Sequence, residues 1–336
     1  MRIYIKSAAS VSPYQFDGND LLMEVIQRNE RFSCIEPDFD KLLDSSMTRR
    51  WSRIMKMGIT AALEAVNRAG NPEIDAIITG TGYGYTEDTI KFLSRMTNPE
   101  DRGMNPTAFI QSTYNTISSL IALTLKNQCY NNTFVHSGFS FESALEDAML
   151  LLKSGEAANV LIGGLDELTD QVFELLQRIE KTNIRSGLSG KINNQVEKAG
   201  YGEGSSFFVL SDKPDNNLPI ELSEFRTFYL PSEKELADYF NEVSEKENPG
   251  LILTGENSAF SNDQSYKGLY GKSEKIKLRY KNFCGDFPTA SGFGLWLAVK
   301  ILTDENNTDL FKTNSILIYN CFADRYHSFI SLKRKE

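Results

Sequence analysis

Apolar positions along the chain fall into two alternating patterns. Short continuous runs, "RIYIKSAA" at 2–9, "IDAIITG" at 74–80, "NVLIGG" at 159–164, "GLILTG" at 250–255 and "SILIYN" at 315–320, read as strands. The last four are of the kind buried on both faces. Between them lie helical stretches. In "RRWSRIMKMGITAALEAVNRAG" (49–70) the apolar residues Trp51, Ile54, Met55, Ile59, Ala62, Leu63 and Val66 recur at helical spacing, and Gly70 is a natural stop. "SFESALEDAMLLLKSG" repeats the pattern and predicts a helix from about Phe141 to Lys153, ending at Gly155. Helices alternating with continuous apolar strands predict a layered α/β fold.

The second half repeats the first in outline. "PSEKELADYFNEV" opens with Pro231 and a Ser232/Glu235 capping box. "ASGFGLWLAVKIL" (290–302) is a helix led by small residues, and a strand follows it. A small-residue turn, a helix and a strand thus occur once in each half, an order that fits duplication. "SDKPDNNLP" (211–219) is the best linker, dividing the chain into an N-terminal half, 1–213, and a C-terminal half, 214–336.

Composition narrows the function only by exclusion. A chain of 336 residues buries a full core easily, and its net charge of −9 argues against a nucleic-acid partner. Cys34, Cys129, Cys284 and Cys321 are far apart and form no CxxC pair, so neither a zinc ribbon nor a disulfide framework is indicated. No apolar stretch is long enough for a signal peptide or a membrane span, which makes a cytoplasmic protein the expectation. "GTGYGY" (80–85) follows a strand but lacks the third glycine and the ribose-binding acid of a dinucleotide fingerprint. It reads as a glycine-rich strand exit, and no cofactor or metal is expected.

Titratable candidates are few. Of the two histidines, His136 lies two residues before Gly138, so on a strand both would face one way. It is either aimed at a pocket or a hydrogen-bonded core residue. Arg49, Arg50, Arg53 and Lys56 form a basic cluster on the first long helix, either a solvated face or a docking patch for an acidic partner.

Six stretches in order, "RRWSRIMKMGITAALEAVNRAG", "GTGYGYTEDTIKFL", "NPTAFIQSTYNT", "LLKSGEAANVLIGGLDE", "GYGEGSSFFVLSD" and "KNFCGDFPTASGFG", make the chain resemble the β-ketoacyl-acyl carrier protein synthases of the thiolase fold. The resemblance spans nearly the whole chain and implies a five-layer αβαβα fold of two related halves. It also implies a dimer joined through the strand "NNTFVHSG". The family's chemistry needs a cysteine that takes the acyl chain as a thioester and two histidines that stabilise the enolate and oxyanion.

All three positions are empty by this count. The cysteine's place falls on Gly138, with His136 and Ser137 before it and no cysteine nearby. The first histidine's place falls at about Thr254 or Gly255. The second is taken by Asp286, although Lys281 and Gly285 match. The glycine-rich C-terminal loop reads "FADRYHS" and contributes His327. A carboxylate at 286 would repel the charge that condensation develops. Gly138, Gly255 and Asp286 should therefore converge on one point, with Lys281 beside Asp286.

The resemblance then implies a chain-length-factor-like subunit that pairs with an active ketosynthase or with a second copy, near an acyl carrier protein. It is similar to ketosynthase-like proteins of bacterial aryl-polyene and flexirubin-type pigment clusters. Phe109 and Gln111 would line the tunnel or reach into the partner, and Arg49, Arg50 and Arg53 would add weakly to carrier docking. Two other readings stand beside it. One is an acyltransferase or hydrolase using His136, Ser137 or Asp286. The other is a binding or scaffold protein outside lipid metabolism.

Overall fold

The structure is a computed structural model that describes residues 1–16, 30–43, 48–97, 106–185, 200–214, 218–256, 266, 268–269, 275–304 and 313–335. Residues 215–217 of the linker and 257–263 of "TGENSAFSND" lie outside the described residues.

The first half runs β1 (Ile3–Val11), α1 (Arg53–Arg68), β2 (Ala76–Gly80), α2 (Thr86–Thr97), α3 (Pro106–Gln111), α4 (Thr116–Leu125), β3 (Tyr130–Phe134), α5 (Ser140–Ser154), β4 (Asn159–Asp166), α6 (Asp170–Arg185) and β5 (Gly204–Ser211). The second runs β6 (Ile220–Tyr229), α7 (Glu233–Glu247), β7 (Leu251–Thr254), β8 (Ile276–Arg279), α8 (Ala290–Thr303), β9 (Ser315–Phe322) and β10 (Tyr326–Arg334).

All ten strands join one sheet in the order β3-β2-β4-β5-β1-β6-β10-β9-β7-β8. Reading outward from the β1/β6 junction, the two arms are β1-β5-β4-β2-β3 and β6-β10-β9-β7-β8, the same order shifted by five. Strand directions repeat as well. β2 and β7 each pair in parallel with both neighbours, while the β4/β5, β1/β5, β9/β10 and β6/β10 ladders are antiparallel. The junction is short, only Ile3–Ile5 against Ile220–Leu222. The duplicated order of elements expected from the sequence is thus a duplicated topology.

Three apolar clusters define five layers. The central one combines Ile78 and Ile162 of one arm, Leu253 and Ile318 of the other, and α5 and α8 through Phe141, Leu145, Phe293 and Leu297. The outer clusters place α1 and α4 on the first arm and α7 on the second. β2, β4 and β5 carry apolar residues on both faces because each is covered twice, and every residue of β2 and β5 is buried.

Local chemistry sets the helix ends. Gly155 follows α5 with φ 76°, the left-handed conformation that closes a helix at little cost only for glycine. Ser232 caps α7, its hydroxyl accepting from the Glu235 amide at 3.2 Å. Replacing it with alanine should cost about 1 kcal/mol of stability, measurable as a shift in urea midpoint with an unchanged slope.

Candidate functional site

The topology decides where a pocket forms. In each arm, loops leave the C-terminal ends of two neighbouring parallel strands, β2 and β3 in one, β7 and β8 in the other. Ligand crevices of open α/β sheets gather at such strand ends. All four loops meet at one cavity of about 410 Å³. Gly82 and Tyr83 come from the loop after β2, Ser137 and Gly138 from the turn after β3, and Gly255 from the exit of β7. Lys281 and Asp286 come from the segment after β8. Phe287, Pro288, Leu176 and Phe322 supply apolar wall. The structure thus brings Gly138, Gly255, Asp286, Lys281 and Ser137 together.

None of the three positions Gly138, Gly255 and Asp286 is simply vacant. Gly138 lies in a one-turn 3-10 helix leading into α5, and a Cβ built on it would sit 2.7 Å from Cγ of Phe322 and 2.5 Å from its Cε2. At Gly255 a Cβ would run into Asn320 Oδ1 and the Tyr280 hydroxyl, with Tyr280 Cζ 3.1 Å away. Those two residues belong to a buried relay. The Tyr280 hydroxyl donates to Asn320 Oδ1 (3.0 Å), and Asn320 Nδ2 donates to Glu142 Oε1 (2.9 Å), which also accepts from Ser328 (3.1 Å). Burial raises the Glu142 pKa. At the third position Asp286 accepts from Lys281 Nζ at 2.8 Å, both side chains largely buried. Each would carry a buried charge alone, so the pair neutralises itself.

Asp166, at the end of β4 and fully buried, holds the floor. Its Oδ1 accepts from Thr81 Oγ1 (3.0 Å), the Gly82 amide (2.9 Å) and the Tyr83 amide (2.7 Å). Its Oδ2 accepts from the Thr289 amide (2.9 Å) and hydroxyl (2.8 Å). Burial pushes its pKa up while these donors pull it back. The glycine-rich strand exit therefore turns the Gly82 and Tyr83 amides onto an internal carboxylate rather than toward a ligand.

Several sequence expectations need correction. His136 and Ser137 are not on a strand, since β3 ends at Phe134, so their relative facing follows a turn. Ser137 has φ 48°, lies exposed and borders the cavity. His136 does not border it. Its ring packs at 4.9 Å against Tyr326, and Nδ1 lies 3.3 Å from Ser143 Oγ. Phe109 and Gln111 on α3 line no part of this cavity. Phe109 is exposed beside Phe92, and Gln111 Nε2 donates to the Arg50 carbonyl (2.8 Å).

Arg53 is not a surface docking residue. Its guanidinium forks onto Glu203 at 2.8 and 2.6 Å, pairs with Glu36, and lies 3.7 Å from Glu167. Glu203, fully buried, needs that cation. Only Arg49 and Arg50 of the expected patch are exposed.

One cysteine, Cys321, borders the cavity. Strand alternation nevertheless directs Asn320 and Phe322 toward the centre and Tyr319 and Cys321 to the outer cluster. There the thiol sits 4.0 Å from His327 Nε2, whose Nδ1 meets the Tyr319 hydroxyl at 2.8 Å. Burial lowers the His327 pKa to about 4 and raises that of Cys321 to about 12. The pair is neutral and faces away from the cavity.

Comparison with known proteins agrees with this architecture. Residues 33–194 match the family described as beta-ketoacyl synthase, N-terminal domain. No curated protein matches the chain in sequence. Among solved structures, a type II PKS acyl-carrier protein in complex with its ketosynthase bound to the hexaketide is similar at TM-score 0.74 and 17% identity, covering 99% of both chains. The ishigamide ketosynthase/chain length factor is similar at TM-score 0.73 and 13% identity, covering 100% of both. The ketosynthase ApeO in complex with its chain length factor ApeC, from Xenorhabdus doucetiae, reaches TM-score 0.69 at 14% identity, covering 99% of this chain and 98% of that one. At such identities the likeness is one of fold. The chain thus has the fold of these ketosynthase structures, and its residues 33–194 match the beta-ketoacyl synthase N-terminal domain.

Proposed function

We propose that this chain is a non-condensing, chain-length-factor-like subunit that pairs with an active ketosynthase. Its pathway class is aryl-polyene-type, and its halves divide at residues 213/214. The observation that carries this reading is the pocket. Gly138 and Gly255 stand where a nucleophile and a histidine are needed, and both sites are packed by Phe322, Tyr280 and Asn320. A decarboxylative condensation has no group there to hold the acyl chain or to stabilise the enolate.

The surface supports a partner. β3 ends the sheet, and its outer edge is unpaired among the described residues. Around it Leu123, Tyr130, Val135 and Leu150 are exposed. An apolar free edge invites strand pairing, and an obligate interface there would bury more than about 2,000 Å². Phe109 and Ile110 are exposed on α3, which supports a role for this helix in reaching a partner. The named complexes of ketosynthases with chain length factors have the same fold. No helix among the described residues is long and apolar enough to cross a membrane.

Co-expression with a ketosynthase from the same pathway tests it. The two should co-elute as a 1:1 complex by size exclusion with light scattering, and product chain length should change when this chain is omitted. If the two never associate and the synthase makes chains of normal length alone, the reading fails.

One observation favours a second reading. Ser137 is a non-glycine residue with left-handed φ at the cavity, a strain that persists only where surroundings enforce it. An acyltransferase using Ser137 near Lys281 and Asp286 would show covalent label on this chain in intact mass spectra after incubation with an acyl-loaded carrier protein.

A further inference from the structure

Gly138 has φ −72° and ψ 16°, a conformation open to any L-residue, so its backbone does not require glycine. Space does. The Phe322 ring lies where any side chain at 138 would begin, with Cγ itself only 2.7 Å from a Cβ position. Because Cγ is bound to the backbone's own Cβ, a swing of the ring's far end does not relieve the overlap.

Phe322 is also held from behind. It is the last residue of β9, in register with Tyr326 across a tight turn whose Ala323 and Asp324 are both left-handed, at φ 55° and 52°. The Arg325 amide donates to the Phe322 carbonyl at 3.2 Å. Tyr326, 6.4 Å from the Phe322 ring, is itself packed against His136, Phe139 and Tyr229. The hairpin tip thus fixes the backbone from which the ring projects.

We propose that Phe322 is a substrate-excluding residue. It fills from within the chain the space above Gly138 that an acyl thioester would occupy, and Gly138 is glycine to admit it. The biological meaning rests on the accessory-subunit reading: in a pair, acyl thioesters load only onto the active partner, because this subunit's own pocket is closed to them. Gly138 and Phe322 are then one matched unit separated by most of the chain.

Binding and reactivity test this in the full-length protein. Octanoyl-N-acetylcysteamine, a small acyl thioester, should bind the Phe322→Ala variant at least tenfold more tightly than the unaltered chain in calorimetry. In Gly138→Cys, iodoacetamide should modify position 138, located by peptide mass, at least tenfold more slowly than in Gly138→Cys/Phe322→Ala. Gly138→Ala should lower the melting temperature in the parent but not in the Phe322→Ala background. Equal thioester affinity with and without Phe322 overturns the proposal, as do equal alkylation rates or an unchanged penalty for Gly138→Ala. The thioester arm stands alone if the cysteine variants do not fold. None of these measurements involves a partner, so a failure to co-elute with a ketosynthase would remove the subunit reading and leave the occlusion result standing.

Discussion

Asp166→Asn should destabilise the protein by about 2–4 kcal/mol despite leaving its shape unchanged. Both carboxylate oxygens accept main-chain amides, Oδ1 from Gly82 and Tyr83 and Oδ2 from Thr289. An asparagine must turn its NH₂ toward one side or the other, so an N–H group faces an N–H group whichever way the amide flips. Each buried donor left unpaired costs about 1–3 kcal/mol. Asp166→Ala should lose at least as much. Thr81→Ala removes one of three donors to Oδ1 and the acceptor of the Gly84 amide, so it should lose less, about 1–2 kcal/mol. Urea unfolding of the three variants checks the order. If Asp166→Asn unfolds at the parent midpoint, the carboxylate is not what joins the loop after β2 to the start of α8.

That junction shows where sequence reading stops. The strands and helices were legible because each is a local pattern. β2 and β4 are continuous apolar runs, Gly155 closes α5, and Ser232 and Glu235 mark the start of α7. The convergence of Gly138, Gly255 and Asp286 was legible only through resemblance to a family whose two halves bring those turns together. What occupies the pocket was not legible. Phe322 is 184 positions from Gly138 in the chain, and nothing in "NCFADRYHS" says that its ring would cross to the other half. Nothing in the sequence singles out Asp166, whose five donors come from a loop 83 to 85 residues earlier and from Thr289, 123 residues later. Side-chain direction caused the remaining errors. Arg53 opens a helix just after the exposed Arg49 and Arg50, yet its side chain points at Glu203, 150 residues away.

On the accessory-subunit reading, the positions where condensation would need reactive residues are packed rather than open. Gly138 and Gly255 stand at two of them, and aromatic or amide groups from the second half, Phe322, Tyr280 and Asn320, crowd their faces. The third place holds an acid, and the adjacent Lys281 neutralises it. Reintroducing a single reactive side chain meets a filled site, so Gly138→Cys alone should not condense malonyl-loaded carrier protein.

The contribution of Glu167 to stability should fall as pH rises from about 4.5 to about 7 and then level off, while buried His327 contributes in the opposite direction between about 4 and 6.5. Burial pushes the pKa of Glu167 up to about 7; Arg53 at 3.7 Å opposes this, and Glu87, Glu203 and Asp88 add to the rise. Arg53 is already committed to Glu203 and Glu36, leaving one cation among three carboxylates. Between the unfolded value of 4.5 and the folded value of about 7, the native state holds a proton that the unfolded chain has released. The Glu167 contribution therefore decreases with pH in that window and not outside it, and the difference between the parent and Glu167→Gln isolates it from His327. The penalty, complete above pH 7, amounts to about 3 kcal/mol. Glu167→Gln keeps the side-chain shape without the charge, so it should flatten this part of the profile and raise stability at pH 8 by a similar amount. Arg53→Met should do the reverse, costing about 3–5 kcal/mol at pH 8 by leaving buried Glu203 without its cation, and less at pH 5, where Glu167 is protonated. Denaturant titrations at pH 5, 6, 7 and 8 on the parent and both variants separate these outcomes. A Glu167→Gln profile parallel to that of the parent would place the titration elsewhere.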